Sequence, residues 1–328
     1  MKHVLPAILL LLSTCIAAGA TVDADDSGAE QIFIAHAVHA DVGAGIRALD
    51  GSDPDSDLRR IVGYRFDKRP QSTNVDVLDR IDYAYRLYWH RALLAPEWRW
   101  LHALALKATL YHTLRDTGNP TVDVGAGIEA LLQERGVGSI TQKSMPLLDF
   151  IAWKTQRKST YEVPLSDAVE SVNVVFISDL VSHGWMDYAT MGKVATGGWV
   201  APEGIYCLEE QYDTSSEEFR VSFLKHEARH QADLKKNPRI SPLMLEYRAK
   251  LTELVNAERT LSQIVSAMEE RADGNGATVH ARADHKVTIA MRDALGCGEA
   301  CPALSDFAMN DPSLVKRAAH SLLMLSAP

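Results

Sequence analysis

Five consecutive residues, His226-Glu227-Ala228-Arg229-His230, carry the clearest chemical pattern in the chain. On a helix, side chains four residues apart project from one face. Two imidazoles so placed can hold one Zn²⁺, and the glutamate between them can take a proton from a metal-activated water. The spacing points to metal-assisted hydrolysis, with His226 and His230 as ligands and Glu227 as general base.

A catalytic zinc takes three protein ligands and keeps one position open. Helix geometry selects the third. With the motif helix ending near Lys236, His230 lies roughly 10 Å before its end at about 1.5 Å per residue. A second helix that starts at Ser241 and returns antiparallel brings Glu246 level with His230. Glu246 is therefore the expected ligand. Glu253, two turns further on the same face, is the alternative, or else supports a ligand from behind.

With these residues the chain resembles the gluzincin branch of the zincin metallopeptidases, whose third ligand is a glutamate on a later helix. Glu246-Tyr247-Arg248-Ala249 is similar to the Glu-x-x-Ala element that supplies it in several gluzincin families. In some of them an aspartate follows the alanine and steadies a zinc-bound histidine. Lys250 stands there in this chain, and Asp233, one turn after His230, is the expected substitute. Metzincins continue their motif to a glycine and a third histidine; Asp233 and Lys236 occupy those places here, which excludes that branch. Zincins also share an order of strand, hairpin, substrate-pairing edge strand and active-site helix. Residues 172–254, roughly a quarter of the chain, resemble it, with Gly204–Glu209 in the edge-strand place. The resemblance implies a zinc-dependent peptidase acting on a peptide or protein substrate. The oxyanion of such a reaction needs a further donor, for which His280, His285, Tyr206 and Tyr247 are all candidates. His36, His39, His183 and His320 read as ordinary polar positions.

The elements around the motif follow from periodicity and punctuation. Val172–Leu180 is β-branched and apolar, a strand; Met191–Glu203 is Gly-rich, a set of turns or a hairpin; Gly204–Glu209 is a second strand. Ser215 and Glu218 form a capping-box sequence ahead of the motif helix, and Asn237-Pro238 stops it. Ser241-Pro242 opens the next helix, expected to run past Leu254 towards Met268. Helices are also expected over Ala281–Leu295 and Pro312–Leu325. Further upstream, Gln31–Val42 alternates weakly and reads as a strand. Val75–Asp116 is helical, interrupted at Pro96, with Val77, Ile81, Tyr85 and Tyr88 on one inward face. Trp100, Leu101, Leu104, Ala105 and Leu110 make the second inward face. Ile128–Gln133 and Leu147–Trp153 read as short helices. The expected fold class is α+β and helix-rich: a zincin-like peptidase core at 166–328 with a small antiparallel or mixed sheet, and a mainly helical portion at 21–165.

Composition bounds the partners. The chain has 328 residues, 46% hydrophobic and 23% charged, with net charge −9. That balance argues against nucleic acid or an anionic membrane surface as a main partner. Lys2 and His3 precede the apolar run Val4–Ala18, and Ala18-Gly19-Ala20 follows, so residues 1–20 read as a signal peptide of an exported, periplasmic or secreted protein. Leu12-Ser13-Thr14-Cys15 offers the alternative of a lipoprotein with its anchor on Cys15. No run reaches the roughly 20 apolar residues of a membrane-spanning helix. Residues 21–30 are small and acidic and are expected to be disordered, and Asp50–Asp57 reads as a loop. Export permits disulfides: Cys297 with Cys301, leaving Cys207 free, or Cys207 with either, or three reduced thiols. Two further readings compete with the peptidase. One is a non-catalytic cell-envelope protein in which the helix pair binds metal or only packs, the motif being a solvated face with Arg229 and Lys225 neutralising Glu227. The other is a metal-dependent cell-wall amidase with the same site.

Overall fold

The computed structural model describes residues 14–16, 27–49, 56–71, 76–144, 146–196, 198–201, 204–275, 278–297 and 302–328. The expected leader lies outside them except for Thr14–Ile16 (β1), which pair antiparallel with Val194–Thr196. Residues 50–55 and Cys301 lie outside them as well. The chain is α+β and helix-rich, and it divides into two units, Leu10–Arg157 with Phe176–Trp199, and Lys158–Val175 with Val200–Pro328. The sequence boundary near residue 165 falls in a long hairpin that contributes to both units.

The first unit holds α1 (Ser27–Val38), α2 (Val42–Ala48), α3 (Asp57–Phe66), α4 (Val77–Leu94), α5 (Arg99–Asp116) and α6 (Val124–Gln133). Then come β2 (Gly138–Ser144), the first part of β3 (Leu147–Pro164), the second part of β4 (Val169–His183), α7 (Trp185–Thr190) and β5 (Val194–Thr196). The aromatic helix α4 is its centre. Asp76 caps it, accepting from the Asp79 amide at 2.9 Å. Tyr85 stacks on Phe150 with centroids 4.8 Å apart, and the Trp89 indole donates to the Leu148 carbonyl at 2.9 Å. Aromatics at helical spacing here make core, as expected.

Four expectations fail in this unit, the first being that residues 21–30 are disordered, since Ser27–Glu30 open α1. Gln31–Val42 is not a strand but most of α1 and the start of α2. Phe33 and Ala37, four apart, are both fully buried, a helical rather than an alternating pattern. Leu147–Trp153 is the start of β3, not a helix. It is buried on both faces, and a continuous apolar run has no period by which to tell strand from helix. On α5, Trp100 (62%) and Leu104 (56%) are exposed, while Leu106, Leu110, Thr113 and Leu114 face inward.

In the five-stranded sheet the order is β2-β3-β4-β7-β6, with β6 at Gly198–Ala201 and β7 at Gly204–Leu208. Residues 165–168 close β3 and β4 into a hairpin, the Leu165 amide donating to the Ala168 carbonyl at 2.8 Å. Gly204 opens β7 at φ +149°, where a Cβ would stand 2.5 Å from the Asn173 carbonyl oxygen of β4, so only glycine seats this strand. The expected edge strand is thus an inner one: β7 lies between β4 and β6, and its backbone groups are committed on both sides.

The second unit carries α8 (His226–Lys236), α9 (Pro242–Asn256), α10 (Leu261–Arg271), α11 (Val279–Ala294), α12 (Leu304–Asn310) and α13 (Pro312–Leu325). Their core is Leu251, Leu254, Val265, Val287, Met291 and Val315. Cys207 on β7 is buried and forms no disulfide and Cys297 is disulfide-bonded, which removes both the Cys207 bridge and the fully reduced arrangement. No helix among the described residues is long and apolar enough to cross a membrane.

The helix expected to run from Ser241 to Met268 breaks after Asn256, because Glu217 caps a new start. Its carboxylate accepts from the Glu258 amide at 2.5 Å, the Arg259 amide at 3.1 Å and the Thr260 hydroxyl at 3.0 Å. Burial pushes this carboxyl up, but those donors outweigh it and bring its pKa from 4.5 to about 2. A depressed carboxylate stabilises the fold fully above its unfolded value and ceases to do so as pH falls through the folded one. Glu217→Gln is expected to cost about 1–3 kcal/mol at pH 7, the range of hydrogen bonds to a charged group. Urea titrations should show the gap from the unmodified protein closing between pH 4.5 and about 2. A gap that is constant over this range would refute the capping role.

Candidate metal centre

The motif helix begins in an unusual way. Residues Glu218–Lys225 form a π-helix that passes directly into α8 at His226. The cap is Ser216, whose hydroxyl accepts from the Phe219 amide at 3.0 Å, and not the expected Ser215, which is taken up by Asp213. Phe219 and Phe223 stack at 5.4 Å and Tyr212 packs on Phe223, which anchors the wide turns one step ahead of the histidines. Single stretches of π-helix are common beside functional sites because they shift the phase of the side chains that follow. α9 has the start read from sequence: the Ser241 hydroxyl accepts from the Met244 amide at 3.3 Å, and Pro242 takes the first position.

α8 and α9 bring His226, His230 and Glu246 together. The Nε2 atoms of His226 and His230 face each other at 2.9 Å. Glu246 Oε2 is 3.5 Å from His226 Nε2, and Oε1 is 3.4 Å from His230 Nε2. One ligand atom from each of the three lies within 4.8 Å of the others, and the three side chains are buried. These residues could hold a metal ion. The set is also what a divalent cation needs: two imidazole nitrogens and a carboxylate, in a pocket where neither Glu246 oxygen meets hydrogen-bond geometry.

Behind His226 stands Glu253. The His226 Nδ1–H donates to Glu253 Oε1 at 2.6 Å, which leaves Nε2 turned towards Glu246 and His230. Glu253 is seven residues after Glu246 on the same face of α9, so one helix supplies both carboxylates. This is the arrangement that orients a metal-binding imidazole. Asp233, expected in that role, does something else. Its Oδ2 accepts from Arg248 Nε at 2.6 Å, and its Oδ1 pairs with Arg229 Nη2 at 2.7 Å.

Electrostatics agree with a cation in this place. Burial disfavours the charged imidazole of His226, yet Glu246 and Glu253 outweigh it and hold its pKa well above the usual value. Burial likewise pushes Glu246 up, but His230, His280 and His226 hold it well below the carboxylate range. Without a metal, a proton on the His226 imidazole supplies positive charge beside the two buried carboxylates. A metal ion would take over that charge and release protons.

His280, near the start of α11, is an oxyanion candidate that reaches the cluster, its Nδ1 3.0 Å from Glu246 Oε2. Tyr247 packs in the helical core with Lys286 over its ring, and His285 lies against the Gly274 turn. Tyr206 is buried on β7. No protein-family model, curated protein or solved structure matches the chain.

The solvated-face reading of the motif is not what the structure has. His226, Glu227, Arg229, His230 and Asp233 are all at most 4% exposed. Arg229 pairs with Asp167 at 2.6 Å and Lys225 with Asn256 at 2.6 Å, so both cations expected beside Glu227 are engaged elsewhere.

Proposed function

We propose that the chain is an exported zinc-dependent metallopeptidase of gluzincin-like type, with His226, His230 and Glu246 as ligands and Glu227 as general base. The observation that carries this is the buried His226–His230–Glu246 cluster, with Glu253 fixing the tautomer of His226. Zn²⁺ bound there would supply Lewis acidity to a scissile carbonyl and to an attacking water. Glu227 takes the proton of that water and passes it to the departing amine. With a metal bound, His226 would be a neutral ligand, its Nδ1 proton held by Glu253. His280, at 3.0 Å from Glu246, is the donor best placed to meet developing charge on the carbonyl oxygen. The signal-like residues 1–20 support export, and the net charge of −9 supports a peptide or protein substrate over nucleic acid.

A non-catalytic metal-binding envelope protein is the second reading, favoured by the burial of all three ligands, since structural sites are closed. Metal analysis of the full chain and its variants tests the centre itself. About one zinc per chain is expected, lost in Glu246→Ala, with affinity about 10–100-fold weaker in Glu253→Ala. An unmodified protein that takes up no zinc on incubation would overturn both metal readings. Full loss in Glu253→Ala, with retention in Glu246→Ala, would move the third ligand to Glu253.

A further inference from the structure

The first unit contains a cavity of about 540 Å³ between the end of α3, α4 and α7, within the roughly 300–1,000 Å³ usual for small-molecule sites. Its lining includes Tyr64, Arg65, Lys68, Arg69, Arg86 and Tyr188. In a chain of net charge −9, residues 56–71 hold five Arg and Lys against two Asp. Asp57 is paired with Arg60 at 2.6 Å, outside the cavity lining.

The charges facing the cavity do not cancel. Arg86 is matched by Asp82 at 2.7 Å. Arg65 feels Asp187, whose carboxyl burial pushes up and whose charge Arg65 and His183 favour. Lys68 and Arg69 are exposed and have no ion-pair partner among the described residues. Four cations thus stand against two carboxylates.

Tyr188 adds an uncharged donor. It is 4% exposed, and its hydroxyl has no hydrogen-bond partner among the described residues. The Arg65 guanidinium lies 4.9 Å from its ring centroid. Burial pushes the phenol up to about 12, while Arg65 and Arg86 pull it down, so the hydroxyl lies within the field of both and stays protonated at neutral pH. A buried hydroxyl without a partner is costly. Donors and surplus positive charge together match one ligand class: oxyanions, which guanidinium groups bind in pairs of parallel hydrogen bonds.

We propose that this cavity is a binding site for a small multivalent oxyanion, phosphorylated or polycarboxylate, held by Arg65, Lys68 and Arg69 with the Tyr188 hydroxyl as a neutral donor. The site is separate from the metal centre and does not depend on its function. A charge-dense ligand of this size uses several cations at once, whereas a monovalent anion uses one. Binding should therefore survive physiological salt, which screens diffuse attraction over about 8 Å.

Calorimetric titration of the full chain with inorganic pyrophosphate and, separately, with citrate at about 0.15 M salt tests this. Saturable single-site binding of at least one is expected, and the tighter of the two names the phosphoryl or the carboxylate class. Lys68→Ala/Arg69→Ala, two exposed positions whose change leaves the fold intact, should weaken it about tenfold or more. Tyr188→Phe, which keeps the ring and removes only the hydroxyl, should weaken it by about threefold to tenfold. No binding of either anion tighter than about 1 mM would overturn the site, as would equal binding by the double variant. Binding seen only at low salt would also overturn it, showing a diffuse charge effect.

Discussion

Glu227→Gln is expected to lower the turnover of peptide hydrolysis by about 10²–10⁴-fold while zinc content and thermal stability stay unchanged. The carboxamide has the shape of the carboxylate but cannot take a proton. Glu227 is 2% exposed on α8, between two histidines whose Nε2 atoms are 2.9 Å apart, so the substitution changes chemistry at the centre without removing a ligand. The comparison is to be made on a pool of fluorogenic peptides, with metal measured on the same preparations. Equal turnover in both proteins would remove Glu227 from the mechanism. Zinc-loaded protein with no hydrolysis of any peptide, in either form, would favour the closed structural site.

Asp233→Asn should have the largest effect on stability. Asp233 is fully buried between Arg248, at 2.6 Å, and Arg229, at 2.7 Å. Removing its charge leaves Arg248, 2% exposed, with no other carboxylate partner among the described residues, and Arg229 with Asp167 alone. Breaking a buried pair in this way costs about 3–5 kcal/mol. For a unit of this size the melting temperature should fall by about 6–20 °C. The combination Asp233→Leu with Arg248→Leu should recover part of the loss, since two apolar side chains leave no unpaired charge on that side. A melting point within about 2 °C of the unmodified protein in Asp233→Asn would show that the pair contributes little.

The centre was more legible in the sequence than its setting. Four-residue spacing fixes His226 and His230 on one face of any helix, and the short Asn237–Ile240 connection makes the next helix return, which brings Glu246 level. Glu253 had two readings, and the structure places it on His226 Nδ1. Asp233 was assigned by proximity along the chain, but carboxylate partners depend on what packs opposite, and Arg248 arrives from another helix. Glu217 as the cap of α10 lies 41 residues from the amide it accepts from, beyond any local signal. His280 was visible only as one histidine among several. In the first unit periodicity is weak: Gln31–Val42 mixes apolar and polar residues with no clear period, and Leu147–Trp153 is mostly apolar, so helix and strand patterns overlap in both. On α5 the bulkiest apolar residues cluster on the side that stays exposed, so composition alone points to the wrong face.

The Arg–Asp cluster also bears on when the site comes together. Asp167 and Arg229 meet across 62 positions of chain, and Arg248 reaches the carbonyls of Leu323 and Ser326 across 75 and 78. Contacts so distant in sequence close only after much chain entropy has been lost, so they form late along the folding route. Late contacts govern how fast a native state comes apart more than how fast it is reached. The spacing of α8 and α9 rests first on Asp233 and Arg248, only 15 positions apart, and the distant contacts come later to fix it. Once set, it is held by a lock whose main effect is to delay opening.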